Sequence, residues 1–376
     1  MVTYTTRNAS LADLAEMLTD QQARKLDLVV PATEITADGG LLVVTGSEPI
    51  ITEHGVTLTD GAYVPTVVAD EGVADKLGIP VAYLKRLRAE RPDLYDANVN
   101  GWLHGDDHEV GPDGRKFLLR TFKSDETGKG IARALLSDKY MRLDNLDALT
   151  SALEGVRASG VHVEIAGADL TDRRMTVRLI APEIQALAPV LLRGYRSPFS
   201  GASGDENPVV FAGLVISNSE TGGGAFTITP RLVVQVCSNG MTITKDALRA
   251  VHLGGRLDEG VVNWSEETQA KAIDLVKSKT ADAVKTFLDV DYMTRVITRA
   301  EAEAGKPVDT VDQVREVTKS LSLGKDHIDG VLGHFIKGGQ MTLGGVSNAI
   351  TSYAQEVDNG DTAHDLEAAA MALLRV

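Results

Sequence analysis

The hydrophobic period of the chain switches for good at Ser265, and that switch limits the folds open to it. Before it, apolar residues alternate with polar ones or cluster in short runs, the pattern of strands. Val161 to Ile165 and Met175 to Ile180 alternate, and the longer runs Val209 to Ser217 and Phe226 to Val236 flank Gly222-Gly223-Gly224. After it, Ala272, Leu275, Val276, Lys279 and Ala283 recur at helical spacing. Residues 310–320, 325–337, 342–357 and 361–374 also read as helices, separated by Gly338-Gly339 and Asn359-Gly360 and preceded by the break at Pro307. Within residues 116–256 one clear helix interrupts the strands, roughly Asn145 to Ala158, with Leu146, Leu149, Leu153 and Val156 as its stripe. Strands without regular intervening helices pair antiparallel. The expected fold class is α+β: a mixed, mainly antiparallel β-rich core with a helical C-terminal region.

Upstream, Leu11, Leu14, Ala15 and Leu18 predict a short helix capped by Ser10. Strand-like runs follow at Leu28 to Val30, Leu41 to Val44 and Val64 to Ala69, broken by the turn signals Asp38-Gly39-Gly40 and Asp60-Gly61. Ala74, Gly78 and Leu84 then have the spacing of a helix-turn-helix, trailed by Lys85, Arg86, Arg88 and Arg91. Such a unit either reads a DNA groove or packs as a plain helical hairpin. Three regions are expected: an acidic N-terminal α/β region at 1–114, a β-rich core domain at 115–256 and a helical region at 257–376.

Acidic side chains exceed basic ones by 53 to 38, a net charge of -15 that argues against general nucleic-acid binding. The excess is unevenly placed. Residues 1–114 carry 8 basic and 19 acidic groups, residues 115–251 carry 17 and 14, and residues 252–376 carry 13 and 20. Within the mildly basic middle, Arg115, Lys116, Arg120, Lys123, Lys129, Arg133, Lys139 and Arg142 are candidate nucleic-acid contacts. The alternative is an ordinary solvated strand face.

Other constellations are weaker. His104, Asp106, Asp107 and His108 form a ligand-dense stretch whose spacing matches neither an EF-hand nor a helical His-Glu-x-x-His site, so a hairpin loop competes with a metal site. The triple glycine lacks the Lys-Ser/Thr ending of a phosphate loop. No Gly-x-Ser-x-Gly elbow occurs, and Cys237, the single cysteine, follows an apolar strand as a buried inert thiol would. No catalytic residue and no cofactor is assigned. No apolar run reaches the roughly 18 residues of a membrane helix. The polar first ten residues lack a signal core, and one cysteine excludes an intrachain disulfide, so the expected location is the cytoplasm.

Several stretches together carry a resemblance: Leu77-Gly78-Ile79-Pro80-Val81-Ala82-Tyr83-Leu84, the run from Ala134 through Tyr140 to Asp144-Asn145, then Asn218-Ser219-Glu220-Thr221-Gly222, Cys237-Ser238-Asn239-Gly240 and Ser347-Asn348-Ala349-Ile350-Thr351. The chain resembles the phage/plasmid-like protein family (domain of unknown function 932) over about residues 70–356. The resemblance implies a phage- or plasmid-encoded accessory protein in a bacterial host, and it brings no established catalytic residues. From it follows the expectation of a non-catalytic DNA-transaction protein that binds single-stranded DNA, with strand annealing as an extension of that binding. Two alternatives stand beside it. One is a protein-interaction or assembly factor acting on a host or phage partner or forming a homo-oligomer, to which the acidic flanks are suited. The other is a metal-dependent enzyme using the His104 stretch.

Overall fold

A computed structural model describes residues 4–47, 49–52, 55–57, 59–105, 113–123, 128–140, 142–250 and 266–375. In chain order the elements are β1 (Thr6–Ala9), α1 (Leu11–Arg24), β2 (Lys25–Pro31), β3 (Ile35–Asp38), β4 (Leu41–Val44), β5 (Ile50–Thr52), β6 (Gly55–Thr57), β7 (Gly61–Pro65), α2 (Val67–Leu77), α3 (Val81–Glu90) and α4 (Pro92–His104). Then come β8 (Lys116–Phe122), β9 (Lys129–Ser137), α5 (Asn145–Ser159), β10 (Glu164–Leu170), β11 (Met175–Leu187), β12 (Val209–Asn218), β13 (Phe226–Val234), β14 (Gly240–Thr242) and β15 (Leu248–Ala250). Six helices complete the described chain: α6 (Glu266–Phe287), α7 (Val290–Ala304), α8 (Val311–Ser320), α9 (Lys325–Gly338), α10 (Leu343–Ala354) and α11 (Gly360–Leu373). The fold is α+β with a helical C-terminal part.

Two main sheets carry it. The first runs β1-β10-β11-β12-β13-β14, with β15 also on β13, and every pairing in it is antiparallel. Its core joins Leu14 and Leu18 of α1, Leu149 and Ala152 of α5, the inner faces of β10 to β13, and Val284, Met293 and Val296 of α6 and α7. The second runs β2-β8-β9-β7-β4-β3 and is antiparallel except for β7 against β9. It packs α2, α3 and α4 through Ala69, Val73, Leu84, Tyr95 and Val99. Helices α8 to α11 form a third cluster around Val314, Val331, Ile350 and Leu366.

Local chemistry explains many boundaries. The Asp38-Gly39-Gly40 signal makes the β3–β4 hairpin, with both glycines at positive φ. The Thr66 hydroxyl caps α2 and Gly78 ends it in the left-handed region, so the helical hairpin is formed as its spacing predicts. Thr310 and Gln313 form a reciprocal capping box on α8.

Two expectations are corrected. The cut between residues 114 and 115 passes through the second sheet, because β8 and β9 pair with β2 and β7. The charge boundary is real, but pairing topology ignores it. Conversely, β1 joins the first sheet at its edge, against β10, and α1 packs into that sheet's core. Helix α4 was not expected; Pro92 reads as a breaker, yet it occupies the first turn, where its missing N–H costs nothing, and Tyr95, Val99 and Leu103 bury the stripe.

Candidate functional site

The eight candidate cations do not share one surface. Arg120 lies on β8 directly opposite Asp27 of β2, and it is 0% exposed. Its Nε and Nη2 donate to the Asp27 carboxylate at 3.1 and 3.0 Å, Nη2 also meets Asp144, and Nη1 donates to the Glu220 carbonyl at 2.9 Å. Lys25 pairs with the other Asp144 oxygen. Arg133 pairs with the Glu220 carboxylate and lies 4.3 Å over the Phe122 ring. Arg115 is exposed but tied to Asp113. Lys116, Lys123, Lys129, Lys139 and Arg142 are exposed, at opposite ends of the β8–β9 hairpin. The seven residue steps from Lys116 to Lys123 separate those ends by about 23 Å.

The motif residues Tyr140, Asp144, Asn145, Asn218, Ser219, Glu220 and Gly222 converge on the same centre. The Glu220 carboxylate accepts the Asn145 N–H at the start of α5, which compensates that helix for lacking a side-chain cap from Asp144. Asn218 Nδ2 donates to the Leu143 carbonyl at 3.0 Å and to Asn145 Oδ1 at 2.9 Å. The Tyr140 hydroxyl donates to the Ser219 carbonyl at 3.2 Å. Burial disfavours the Asp144 carboxylate, but the Arg120 and Lys25 charges outweigh it and hold its pKa at about 2. Burial pushes Tyr140 up to about 12. This hub bridges the two sheets: Asp27, Arg120 and Arg133 come from one, while Asp144, Asn145 and Glu220 belong to segments of the other. Beside it is a cavity of about 10 Å³, lined by Gln21, Gln22, Lys25, Arg133 and Glu220, with space for one water.

Cys237, Asn239 and Gly240 lie at the far end of β12 and β13, in a second cluster. The Tyr195 hydroxyl donates to Cys237 Sγ at 3.6 Å, Cys237 meets Asn239, and Asn239 meets Thr351 of α10. Asn348 Nδ2 donates to the Leu191 carbonyl at 3.1 Å. Burial pushes the Cys237 thiol up, away from the reactive thiolate. Gly240 is required by a close approach: a Cβ there would fall 1.8 Å from Nε of Arg231, whose guanidinium reaches Glu367 of α11 at 2.7 Å. Glu367 also faces Arg178, which pairs with Asp169, which in turn binds Arg7. Both ends of the β12–β13 pair are buried and bonded to distant elements.

The remaining candidates are also accounted for. On the helical hairpin, Lys85 pairs with Glu71, Arg86 with Glu90, Arg88 with Asp70 and Arg91 with Asp93. His104 ends α4 with Nε2 2.8 Å from the Ile35 carbonyl, and Asp106, Asp107 and His108 lie outside the described residues. Among the described residues no group of three His, Cys, Asp or Glu side chains is placed to hold a metal ion, and no helix is long and apolar enough to cross a membrane. The sequence matches no family model, and neither the curated proteins nor the solved structures give a match.

One titratable group near the second cluster gives a pH prediction. Burial, reinforced by the Arg174 charge, holds His364 of α11 near pKa 4, below its ordinary 6.5, and its Nδ1 has no partner. The unfolded chain therefore binds the proton more tightly than the folded one. Stability is full above about pH 6.5 and falls as the pH drops to 4, by on the order of 3 kcal/mol. Urea unfolding at stepped pH values checks this: His364→Gln is expected to flatten the curve in that window, and an unchanged slope would show that other groups set it.

Proposed function

We propose that this protein is a non-catalytic interaction factor that engages basic polypeptide, rather than a single-stranded DNA binder. The observation that carries this reading is the commitment of the central cations. Arg120 and Arg133 are spent inside the hub and Arg115 on Asp113, while residues 1–114 bear 19 acidic groups against 8 basic ones. A strand-binding groove for DNA needs a continuous cationic track, and the five exposed members are split between two ends of a hairpin. An acidic exterior instead attracts basic partners over distances of about a Debye length. Kinship with the phage/plasmid-like family belongs to the same proposal. It is supported by separate motif stretches meeting in two buried clusters, which gives those residues a structural reason to recur together.

Fluorescence anisotropy at low salt, with a labelled lysine homopolymer and a labelled thymidine oligonucleotide, tests the reading. The expected result is salt-dependent binding of the polypeptide and none of the oligonucleotide. Binding of the oligonucleotide alone would overturn it in favour of the single-stranded DNA function.

A further inference from the structure

Strand β2 ends its sheet, and the phase of its hydrogen bonds shows what its outer edge offers. The Arg24 carbonyl accepts from Lys123 N–H at 2.8 Å, and Ala32 N–H donates to the Arg115 carbonyl at 2.9 Å. Antiparallel pairing in that register turns the main-chain groups of Leu26, Leu28 and Val30 toward β8. Those of Asp27 and Val29, and the Pro31 carbonyl, face away. Among the described residues no strand pairs with this edge. Val29 is 53% exposed beside it. Open edges of this kind are normally covered or blocked.

The edge does not open onto a flat surface. A groove of about 310 Å³ lies beside it, lined by Asp27 to Pro31 together with Glu34, Ser47, Thr59 and Lys116. We propose that this groove takes one extended segment of a basic partner polypeptide, which adds a strand to β2. The claim rests on the function proposed above and names its site. Alternating N–H and C=O groups on one edge are matched by another extended backbone, not by a nucleic acid. The acidic excess of residues 1–114, with Glu34 in the groove wall, selects cationic flanks, and exposed Val29 selects an apolar residue between them.

The probe is a labelled Lys-Thr-Val-Thr-Val-Lys peptide followed by fluorescence anisotropy. Val29→Pro removes an N–H that points out of the sheet, so the β2–β8 ladder is kept and circular dichroism and Tm are expected to stay as in the wild type. Peptide affinity is expected to fall about tenfold or more, the loss of one main-chain bond plus the clash of the ring. A folded Val29→Pro variant that binds like the wild type overturns the proposal. Should that variant unfold, peptides N-methylated on alternate amides decide. Methylation in the phase facing β2 abolishes binding and the other phase retains it; equal effects overturn the proposal. A wild type that binds the lysine homopolymer but not the strand-forming peptide rejects the site while keeping the function. A wild type that binds only the thymidine oligonucleotide rejects both.

Discussion

Replacing Arg120 by Met is expected to lower the unfolding free energy by about 3–5 kcal/mol, read from the midpoint and slope of urea denaturation. Methionine fills much of the same space, so packing is largely spared. What is lost is the charge that Asp27 and Asp144 share and the donor to the Glu220 carbonyl. Both carboxylate side chains are buried, on the two sides of the junction between the sheets. Removing one partner leaves uncompensated buried charge, which costs more than the intact pair contributes. The acid limb should move as well. In the wild type, Asp144 is held at about 2, below its ordinary 3.8. Its contribution is complete above about pH 4 and is lost as the pH falls through 2. Without Arg120 the loss begins at higher pH. Lys139→Met, at an exposed site, is expected to change stability by no more than about 0.5 kcal/mol. Equal effects of the two substitutions would refute the structural role of the hub.

Glu367→Gln is expected to cost a similar amount, about 3–5 kcal/mol, and to loosen α11 from the first sheet. Glu367 holds Arg231 at 2.7 Å and faces Arg178, and both guanidiniums are buried. Each already has a nitrogen without a hydrogen-bond partner, Nη1 of Arg178 and Nε of Arg231. Neutralising the carboxylate leaves Arg231 without its counter-ion in a dry setting and takes one of two carboxylates from Arg178, which keeps Asp169. The double change Arg231→Met with Glu367→Leu is expected to recover much of the loss, since an apolar pair needs no compensation. A double-mutant cycle through Arg231→Met, Glu367→Leu and their combination, followed by urea unfolding, reads the coupling. Additive losses would show that the pair does not act as a unit.

The sequence made the periodic parts of this molecule legible. The long apolar runs around Gly222-Gly223-Gly224 form the β12–β13 hairpin, and the helical spacing after Ser265 continues through α6 and beyond. Local rules were enough there, because each element carries its own period and breakers. Arg120 shows where they run out. Within Lys116–Phe122 it looks like any strand cation, and its partners Asp27 and Asp144 lie 93 and 24 positions away. Nothing local distinguishes a cation that will be buried from one that will be solvated. The role of the motif stretch around Asn218 was illegible for the same reason, since its partners at Leu143 and Asn145 belong to another element. The open edge of β2 was missed because edge status is a property of strand order. Lys25-Leu-Asp-Leu-Val-Val-Pro31 alternates charge and hydrophobe and ends in proline, which suits an edge, yet only the pairing shows which side is free.

Residue-resolved amide hydrogen exchange across β2, with and without the strand-forming peptide, tests most directly whether this edge is the binding surface. In the free protein, Leu26, Leu28 and Val30 should exchange slowly and Asp27 and Val29 fast, following the register with β8. Peptide should slow Asp27 and Val29 and leave the others unchanged. Uniform protection along β2 in the free protein, or peptide binding that leaves Asp27 and Val29 fast, would contradict it.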